Sequence, residues 1–160
     1  MNYRETFAVF IKAGNIEGSG RASSYVRAIN LLDTILRRKA PGALDADSIW
    51  SIASPRHIQG LYELVLEHQK LGDGGIFEGE EPVSYWRGGF CSAALKSYKE
   101  FLVVHRYEQR MWEAYQDSKI APEELAARLA GIDVDAAEVL VEDKDIDLNS
   151  RQGREAVRQV

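Results

Sequence analysis

Apolar residues recur at intervals of three and four along most of the first 120 residues of the chain. This spacing places them on one face of an α-helix, unlike the strict alternation of a half-buried strand. The clearest helical patterns are found in residues 2–13, 23–39, 55–71 and 91–119. The pattern predicts a mainly α fold, with a single compact helical domain and a short C-terminal appendage of weaker helical segments.

Residues that typically begin or end helices lie between these segments. Gly14 is suited to end the first helix, and Ser23 and Ser24 offer an N-cap for the second. Ser54 followed by Pro55 is typical of an N-cap and a first helical residue. We therefore expect the second helix to begin after the serines and the third to begin at Pro55.

Charge is distributed unevenly along the chain. Residues 1–120 contain 15 Lys and Arg and 15 Asp and Glu, whereas residues 121–160 contain 5 basic and 10 acidic residues. The net charge of −5 therefore belongs to an acidic C-terminal appendage, residues 121–160, and the helical domain of residues 1–120 is neutral. A neutral domain can carry a basic face but cannot bind DNA through bulk charge alone. The expected members of such a face are Arg21, Arg27, Arg56 and Arg87.

Several classes of protein are disfavoured by composition. No apolar run approaches the ~18 residues of a membrane span, and the first residues lack the pattern of a signal peptide, so we expect no membrane association. The single cysteine, Cys91, fits a reducing, cytoplasmic compartment and is expected to be a packed thiol. The 3 histidines, His57, His68 and His105, lack metal-ligand spacing, so we expect no metal and no cofactor.

Two helix starts carry residues that suit a phosphate. The loop GSGRASS combines glycines with Arg21, Ser23 and Ser24, and helix N-termini attract anions. The nucleotide-binding fingerprints do not fit, because the preceding element is a helix and no GxxxxGK[ST] pattern is present. Arg56 and His57 lie in the first turn of the third helix. At both places the alternatives stay open: a DNA-phosphate site, or a capped loop and solvated charges.

The segment SYWRGGF, residues 84–90, concentrates aromatic side chains directly before the long helix. One interpretation is a surface loop that offers an apolar pocket beside a guanidinium. The other is that the rings are buried for packing, as Trp and Phe usually are. The two interpretations are compatible. The candidate residues are Tyr85, Trp86, Arg87, Gly89 and Phe90.

Residues 139–144, with sequence VLVEDK, imitate half of a metal-dependent nuclease motif. In that interpretation an apolar strand is followed by Glu142 and Lys144, and Asp133 or Asp135 supplies a second carboxylate. Matches of this length are common in acidic stretches. The alternative is a solvated acidic connector.

Four segments together carry a resemblance to a known family: NYRETFAVFIKAG, SGRASSYVRAINLLDTIL, SPRHIQGLYELVLEHQK and SYWRGGFCSAALKSYKEFL. They resemble the N-terminal domain of bacterial HNH restriction endonucleases of the modification-dependent, McrA-like type, over residues 2–103. Residues 149–160 resemble the linker that runs into the HNH nuclease in such enzymes. No HNH histidines follow, so the resemblance implies a reader domain separated from its nuclease domain.

In the McrA-like relatives this position is filled by a sulfur-binding domain that recognises phosphorothioate DNA. The resemblance therefore implies an apolar pocket for sulfur, a larger and more weakly hydrated atom than oxygen. A phosphate oxygen in the same pocket would lose its hydration without gaining a partner. The residues assigned to the apolar contact are Tyr25, Tyr85, Trp86, Gly89 and Phe90. Those assigned to phosphates or base edges are Arg21, Ser23, Ser24, Arg56, His57 and Arg87.

The resemblance implies a binding domain and not an enzyme. It would direct a restriction endonuclease to double-stranded, phosphorothioated DNA in the cytoplasm, with a homodimer through the parent protein left open. Three alternatives also stay open. They are a reader of a modified base flipped into an aromatic pocket, a metal-dependent nuclease using Glu142 and Lys144, and a helical protein-interaction module that the acidic charge would suit.

Without metal-ligand spacing or a nucleophile–base pair, the chain is predicted not to cleave DNA. The purified protein, incubated with duplex DNA and magnesium or manganese, should leave the strands intact on a denaturing gel. Cleavage that disappears in Glu142→Ala would contradict this expectation and establish the nuclease interpretation.

Overall fold

The computed structural model describes residues 2–15 and 18–142. Within these ranges the chain forms seven α-helices and two short 3₁₀ helices, and it contains no strand. The α-helices are α1 (Arg4–Ala13), α2 (Arg21–Lys39), α3 (Pro55–Leu71), α4 (Val83–Arg87), α5 (Phe90–Gln116), α6 (Pro122–Leu129) and α7 (Val134–Glu142); the 3₁₀ helices are Pro41–Ala43 and Ile49–Ser51. None of these helices combines the length and the apolar character that a membrane-spanning segment requires. The predicted mainly α fold class is confirmed.

The predicted start of α3 is confirmed in detail. The Ser54 hydroxyl accepts a hydrogen bond from the His57 peptide N–H at 3.2 Å. Pro55 occupies the first helical position, where its missing N–H costs nothing. The apolar period of residues 55–71 then continues through α3, so local sequence and packing agree on both ends of this helix.

The start of α2 differs from the prediction. The helix begins at Arg21, and its N-cap is Gly20 in the left-handed conformation, with φ 64°. Ser23 therefore lies in the first turn, where its hydroxyl donates to the Gly20 carbonyl at 2.8 Å. The reason is packing: Ala22 and Tyr25 are both buried, so the apolar stripe extends one turn earlier than the serines suggest.

The strand that the nuclease interpretation places at residues 139–141 is wrong, and the segment is helical as the overall pattern predicted. These residues belong to α7, in which Ala137, Leu140 and Val141 are buried. That spacing is helical, and Val139 is 60% exposed on the other side. The Asp133 carboxylate accepts from the peptide N–H groups of Asp135 and Ala136 at 3.0 and 3.1 Å, which caps the helix.

The chain divides into two compact units, Met1–Lys99 and Glu100–Val160. The division falls within α5, whereas the sequence pattern placed a boundary at residue 120. In the second unit α6 and α7 share a core with the later part of α5. The buried members of that core are Val103, Tyr107, Met111, Leu125, Ala137, Leu140 and Val141.

The core of the first unit is organised around Trp50. Its ring lies 5.7 Å from that of Phe7 in α1 and 5.3 Å from that of Tyr98 in α5. The Phe7 and Tyr98 rings meet edge to face at 5.4 Å. Three large rings in mutual contact bury much apolar area and gain the favourable edge-to-face geometry, so they hold α1 and α5 against the 3₁₀ helix of Trp50.

Each polar group in this aromatic cluster has a hydrogen-bond partner. The Trp50 indole N–H donates to Asn30 Oδ1 in α2 at 2.8 Å, and the Tyr98 hydroxyl donates to the Ile52 carbonyl at 3.2 Å. Asp33, one turn after Asn30, accepts the Ile49 peptide N–H at 2.7 Å. These bonds fix α2 both along its axis and in rotation about it, because a buried donor without a partner is costly.

Trp50→Phe is predicted to destabilise the protein by roughly 2–3 kcal/mol, because it leaves a cavity and removes the partner of Asn30. Denaturant unfolding followed by circular dichroism measures the change. Trp112→Phe is the matched control: Trp112 is 49% exposed, and its replacement should change stability by less than about 0.5 kcal/mol. Equal effects of the two substitutions would contradict the role given to Trp50.

Candidate functional site

The middle of α2 and the start of α5 are joined in the core. Ala28 and Cys91 are fully buried, and the Cys91 thiol points its weak donor at the Ala28 carbonyl, with 3.9 Å between sulfur and oxygen. Burial raises the pKa of Cys91 to about 12. The thiol is therefore neutral at pH 7, as expected for a packed cysteine. The contact places the neighbours of these residues, Arg27 and Phe90, at the edge of the same junction.

Two glycines form a tight corner between α4 and α5. A Cβ at Gly88 would lie 2.5 Å from the Ser84 carbonyl oxygen, a distance that no side chain tolerates. Gly89 has φ 74°, in the left-handed region that favours glycine. The predicted aromatic loop is thus a short helix followed by a two-residue corner. Its backbone closes with hydrogen bonds from Gly88 N to Ser84 O and from Gly89 N to Trp86 O, at 2.9 and 3.1 Å.

The corner brings Tyr85 and Phe90 together at the surface. Their ring centroids are 5.5 Å apart with a tilt of 36°. Phe90 is 40% exposed and Tyr85 is half-buried. The guanidinium carbon of Arg27 lies 5.3 Å from the Tyr85 ring centroid, within the range of a cation–π contact. The result is an exposed apolar pair beside a cation.

Trp86 has a different environment from its neighbours. It is 5% exposed, stacks on Phe77 at 5.5 Å and donates its indole N–H to the Glu80 carbonyl at 3.2 Å. Its own carbonyl accepts from Gln69 Nε2 at 2.7 Å, which ties α4 to α3. Trp86 is therefore a core residue and not a surface contact. The exposed Arg87 covers it from outside, 5.1 Å from the ring.

The start of α2 presents a second group of candidate residues. Arg21 is exposed, donates to Asn15 Oδ1 at 3.1 Å and lies 5.1 Å from the Tyr25 ring. Tyr25 itself is only 7% exposed, so its ring belongs to the core and does not reach the surface apolar pair. Ser23 is exposed and Ser24 is half-buried. These side chains surround peptide N–H groups that have no partner within the helix.

A shallow pocket of about 340 Å³ adjoins this helix start. Lys12 contributes a cation and Asn15 an amide to its wall. Sequence analysis missed both residues, because they lie on α1 and just after it. The full lining is Lys12, Asn15, Gly18, Ser19, Gly20, Ala22 and Ser23. A cation together with helix N–H groups is an arrangement suited to an anionic oxygen.

Arg56 and His57 lie apart from these two groups. The His57 imidazole approaches the Ala43 carbonyl, with 3.5 Å between Nε2 and oxygen. Ala43 follows the C-terminal end of α2, a helix of 19 residues that spans about 28 Å. The structure therefore brings Arg21 and the serines together at one end of α2 and leaves Arg56 and His57 at the other.

Basic residues at the C-terminal end of α2 are neutralised by carboxylates. Arg37 pairs with Asp33 at 2.7 Å, and Lys39 pairs with Glu80 at 2.9 Å. Arg38 also pairs with Glu80. Burial alone would raise the pKa of Glu80, but hydrogen bonds from Lys39 and Arg38 and their charges outweigh it and hold the pKa below its usual range. Glu80 is thus ionised at pH 7.

The remaining arginines of this region contact rings instead of carboxylates. Arg21, Arg27 and Arg87 each lie over an aromatic ring. In the part of the chain that the structure describes, none of the three forms an ion pair. The carboxylate nearest to Arg87 in sequence, Glu81, accepts a hydrogen bond from the Val83 peptide N–H at 3.1 Å. These three arginines therefore carry positive charge that no carboxylate within the described residues neutralises.

The nuclease residues do not form a site in the described ranges. No group of three or more His, Cys, Asp or Glu side chains there is placed to hold a metal ion. Asp133 caps α7, and Glu142 is the last residue of that helix. Lys144 and the linker-like residues 149–160 lie outside the described residues.

Comparisons of the chain with models of protein families, with curated proteins and with solved structures found no match. The site therefore has to be interpreted from its own geometry and chemistry.

Gly88→Ala is predicted to destabilise the protein by about 1–3 kcal/mol, because the new methyl group would collide with the Ser84 carbonyl. Its φ of −76° suits alanine, so the effect would come from the collision and not from the backbone angle. Gly60→Ala, inside α3 with open space around it, is the matched control and should stabilise by about 0.5–1 kcal/mol. Thermal and urea unfolding measure both, and a Gly88→Ala variant as stable as the parent protein would rule out the rigid corner.

Proposed function

We propose that this chain is a DNA-binding module that recognises phosphorothioate-modified DNA and directs a restriction endonuclease to it. The observation that carries the proposal is the pair formed by the half-buried Tyr85 and the exposed Phe90, set among arginines that form no ion pair within the described residues. The resemblance of residues 2–103 to McrA-like proteins supplies the chemical identity of the mark.

The exposed rings suit sulfur better than oxygen. A non-bridging sulfur is large, polarisable and weakly hydrated, so contact with Tyr85 and Phe90 costs it little solvation. A phosphate oxygen in the same position would lose strong hydrogen bonds to water and gain none from the rings. The preference for modified DNA would therefore arise chiefly because the unmodified phosphate loses solvation free energy in this position.

Phosphate contacts would be supplied by the groups around the rings. Arg21 and Arg87 are exposed, and Ser23 and the N–H groups at the start of α2 lie beside Lys12. Such contacts fix the position of a duplex without carrying sequence information. Arg56 precedes His57, whose ring approaches Ala43 just after the C-terminal end of α2, so it would contact DNA apart from the groups at the start of that helix.

The charge distribution is compatible with this role. Carboxylates pair with the cations at the C-terminal end of α2, and the acidic excess of the chain lies beyond residue 120. The surface around Tyr85 thus carries cations in a chain that is acidic as a whole. Binding would depend on this local arrangement and would weaken as salt rises.

The deciding experiment compares two duplexes of one sequence, with and without a phosphorothioate linkage, in titrations at fixed salt. Preferential binding of the modified duplex supports the proposal. Equal affinity of the wild-type protein for the two duplexes excludes recognition of sulfur, and no binding to either excludes the DNA-binding role.

Truncation of the exposed rings is predicted to act on discrimination. Tyr85→Ala or Phe90→Ala should reduce the preference for the modified duplex roughly ten- to a hundredfold, because about 1–3 kcal/mol of apolar contact is lost. Arg21→Ala should instead weaken both duplexes alike and lower the salt dependence by about one contact.

Two controls accompany these variants. Tyr115→Ala removes another exposed ring, 36% accessible and in the second unit, and should leave the preference unchanged. Thermal unfolding of each variant separates a lost contact from a lost fold. A preference that survives both Tyr85→Ala and Phe90→Ala would show that the rings do not contact the sulfur.

A further inference from the structure

The sequence predicted Arg27 only as one member of a basic face. In the structure its side chain contacts one particular ring, that of Tyr85. Its guanidinium carbon lies 5.3 Å from the ring centroid of Tyr85. The side chain is exposed, and within the described ranges it forms no ion pair. We propose that Arg27 is a positioning residue, which holds the Tyr85 ring in place and thereby sets the discrimination between modified and unmodified DNA. This inference rests on the function proposed above.

The backbone on each side of the contact is fixed by the core. Arg27 directly precedes Ala28, whose carbonyl faces the buried Cys91 thiol. Tyr85 directly precedes Trp86, which is held by Phe77, by Gln69 and by the Glu80 carbonyl. Two rigid backbones therefore carry Arg27 and Tyr85 towards each other, so the contact does not depend on a mobile loop.

The Tyr85 side chain itself is weakly restrained. It is half-buried, and its hydroxyl has no hydrogen-bond partner among the described residues. The ring has aromatic or cationic contacts with Phe90 and Arg27. Trp86, by comparison, is stacked, hydrogen-bonded and buried. The Arg27 guanidinium is therefore a large part of what keeps the Tyr85 ring in one orientation beside Phe90.

Arginine suits this task better than lysine. Its guanidinium is planar and lies flat on an aromatic face, whereas the ammonium of lysine is a compact, strongly hydrated point charge. Arg27→Lys consequently keeps the charge that a phosphate would contact and loses the planar guanidinium. The substitution separates a positioning role from a purely electrostatic one.

The matched control is Arg21→Lys. Arg21 lies on the same helix and over a tyrosine ring at nearly the same distance, 5.1 Å. That ring, Tyr25, is 7% exposed and held by the core, so it does not depend on the cation for its orientation. Both substitutions replace a guanidinium over a tyrosine ring by an ammonium. They differ in the ring, because Tyr25 is held by the core and Tyr85 is not.

The experiment measures binding of wild-type, Arg27→Lys, Arg27→Ala and Arg21→Lys proteins to phosphorothioate and unmodified duplexes over a range of salt. Arg27→Lys should lower the preference for the modified duplex about two- to fivefold, the size of a lost surface cation–π contact, with an unchanged salt dependence. Arg27→Ala should lower the preference and also reduce the salt dependence by about one contact. Arg21→Lys should change the affinities for the two duplexes in equal proportion.

The outcomes separate this inference from the function on which it rests. If the wild-type protein does not prefer the modified duplex, the proposed function is wrong, and so is the role of Arg27. A wild-type protein that does prefer it, with an Arg27→Lys variant that keeps the full preference or loses affinity equally for both duplexes, rejects the role of Arg27 alone. Melting temperatures of the variants, expected to stay within a few degrees of the parent protein, exclude a general loss of structure.

Discussion

The hydrogen bond from the Trp50 indole to Asn30 is the constraint on which the first unit depends. The Trp50 side chain is 4% exposed and lies among Phe7 and Tyr98, so its N–H is largely shielded from water and needs an acceptor in the protein. Asn30 supplies that acceptor only if α2 is rotated to place it against the 3₁₀ helix. The same rotation buries the apolar stripe of α2 and leaves Arg27 at the edge of the helix. The need of the Trp50 indole for an acceptor thus determines which residues of α2 face the surface.

The cations at the two ends of α2 have different environments because the two ends contact different elements. Its C-terminal cations meet Asp33 and Glu80, where charge pairing and the helix dipole both favour them. Its first half meets α4 and α5, which bring aromatic rings and no paired carboxylate within the described residues. The arginines there lie over aromatic rings and have no carboxylate partner within the described residues. Under the proposed function, these cations and the exposed Phe90 would contact an anionic partner with apolar character.

The sequence predicted the helices better than it predicted the site. Periodicity and the Ser54–Pro55 cap located α3 correctly, because those signals act within one turn of the helix. The early start of α2 was missed, since it depends on burial against distant segments, whereas the helix at residues 134–142 agrees with the predicted helical appendage. The surface pair Tyr85–Phe90 was within the predicted set, and burial of Trp86 was one of the two interpretations of its segment, but the burial of Tyr25 was not predicted. The contact between Arg27 and Tyr85 joins positions far apart in the chain, and no local pattern could indicate it.

The corner at Gly88 restricts the residue type at position 88 but not at the neighbouring surface positions. The Ser84 carbonyl leaves room only for a hydrogen atom at position 88. Any larger residue there would force the backbone to shift. The residues displayed on either side, Tyr85 and Phe90, are not bound by that restriction, because their side chains reach the surface. Substitutions at positions 85 and 90 can therefore change the side chains that the corner presents, while the path of the backbone through the corner stays the same.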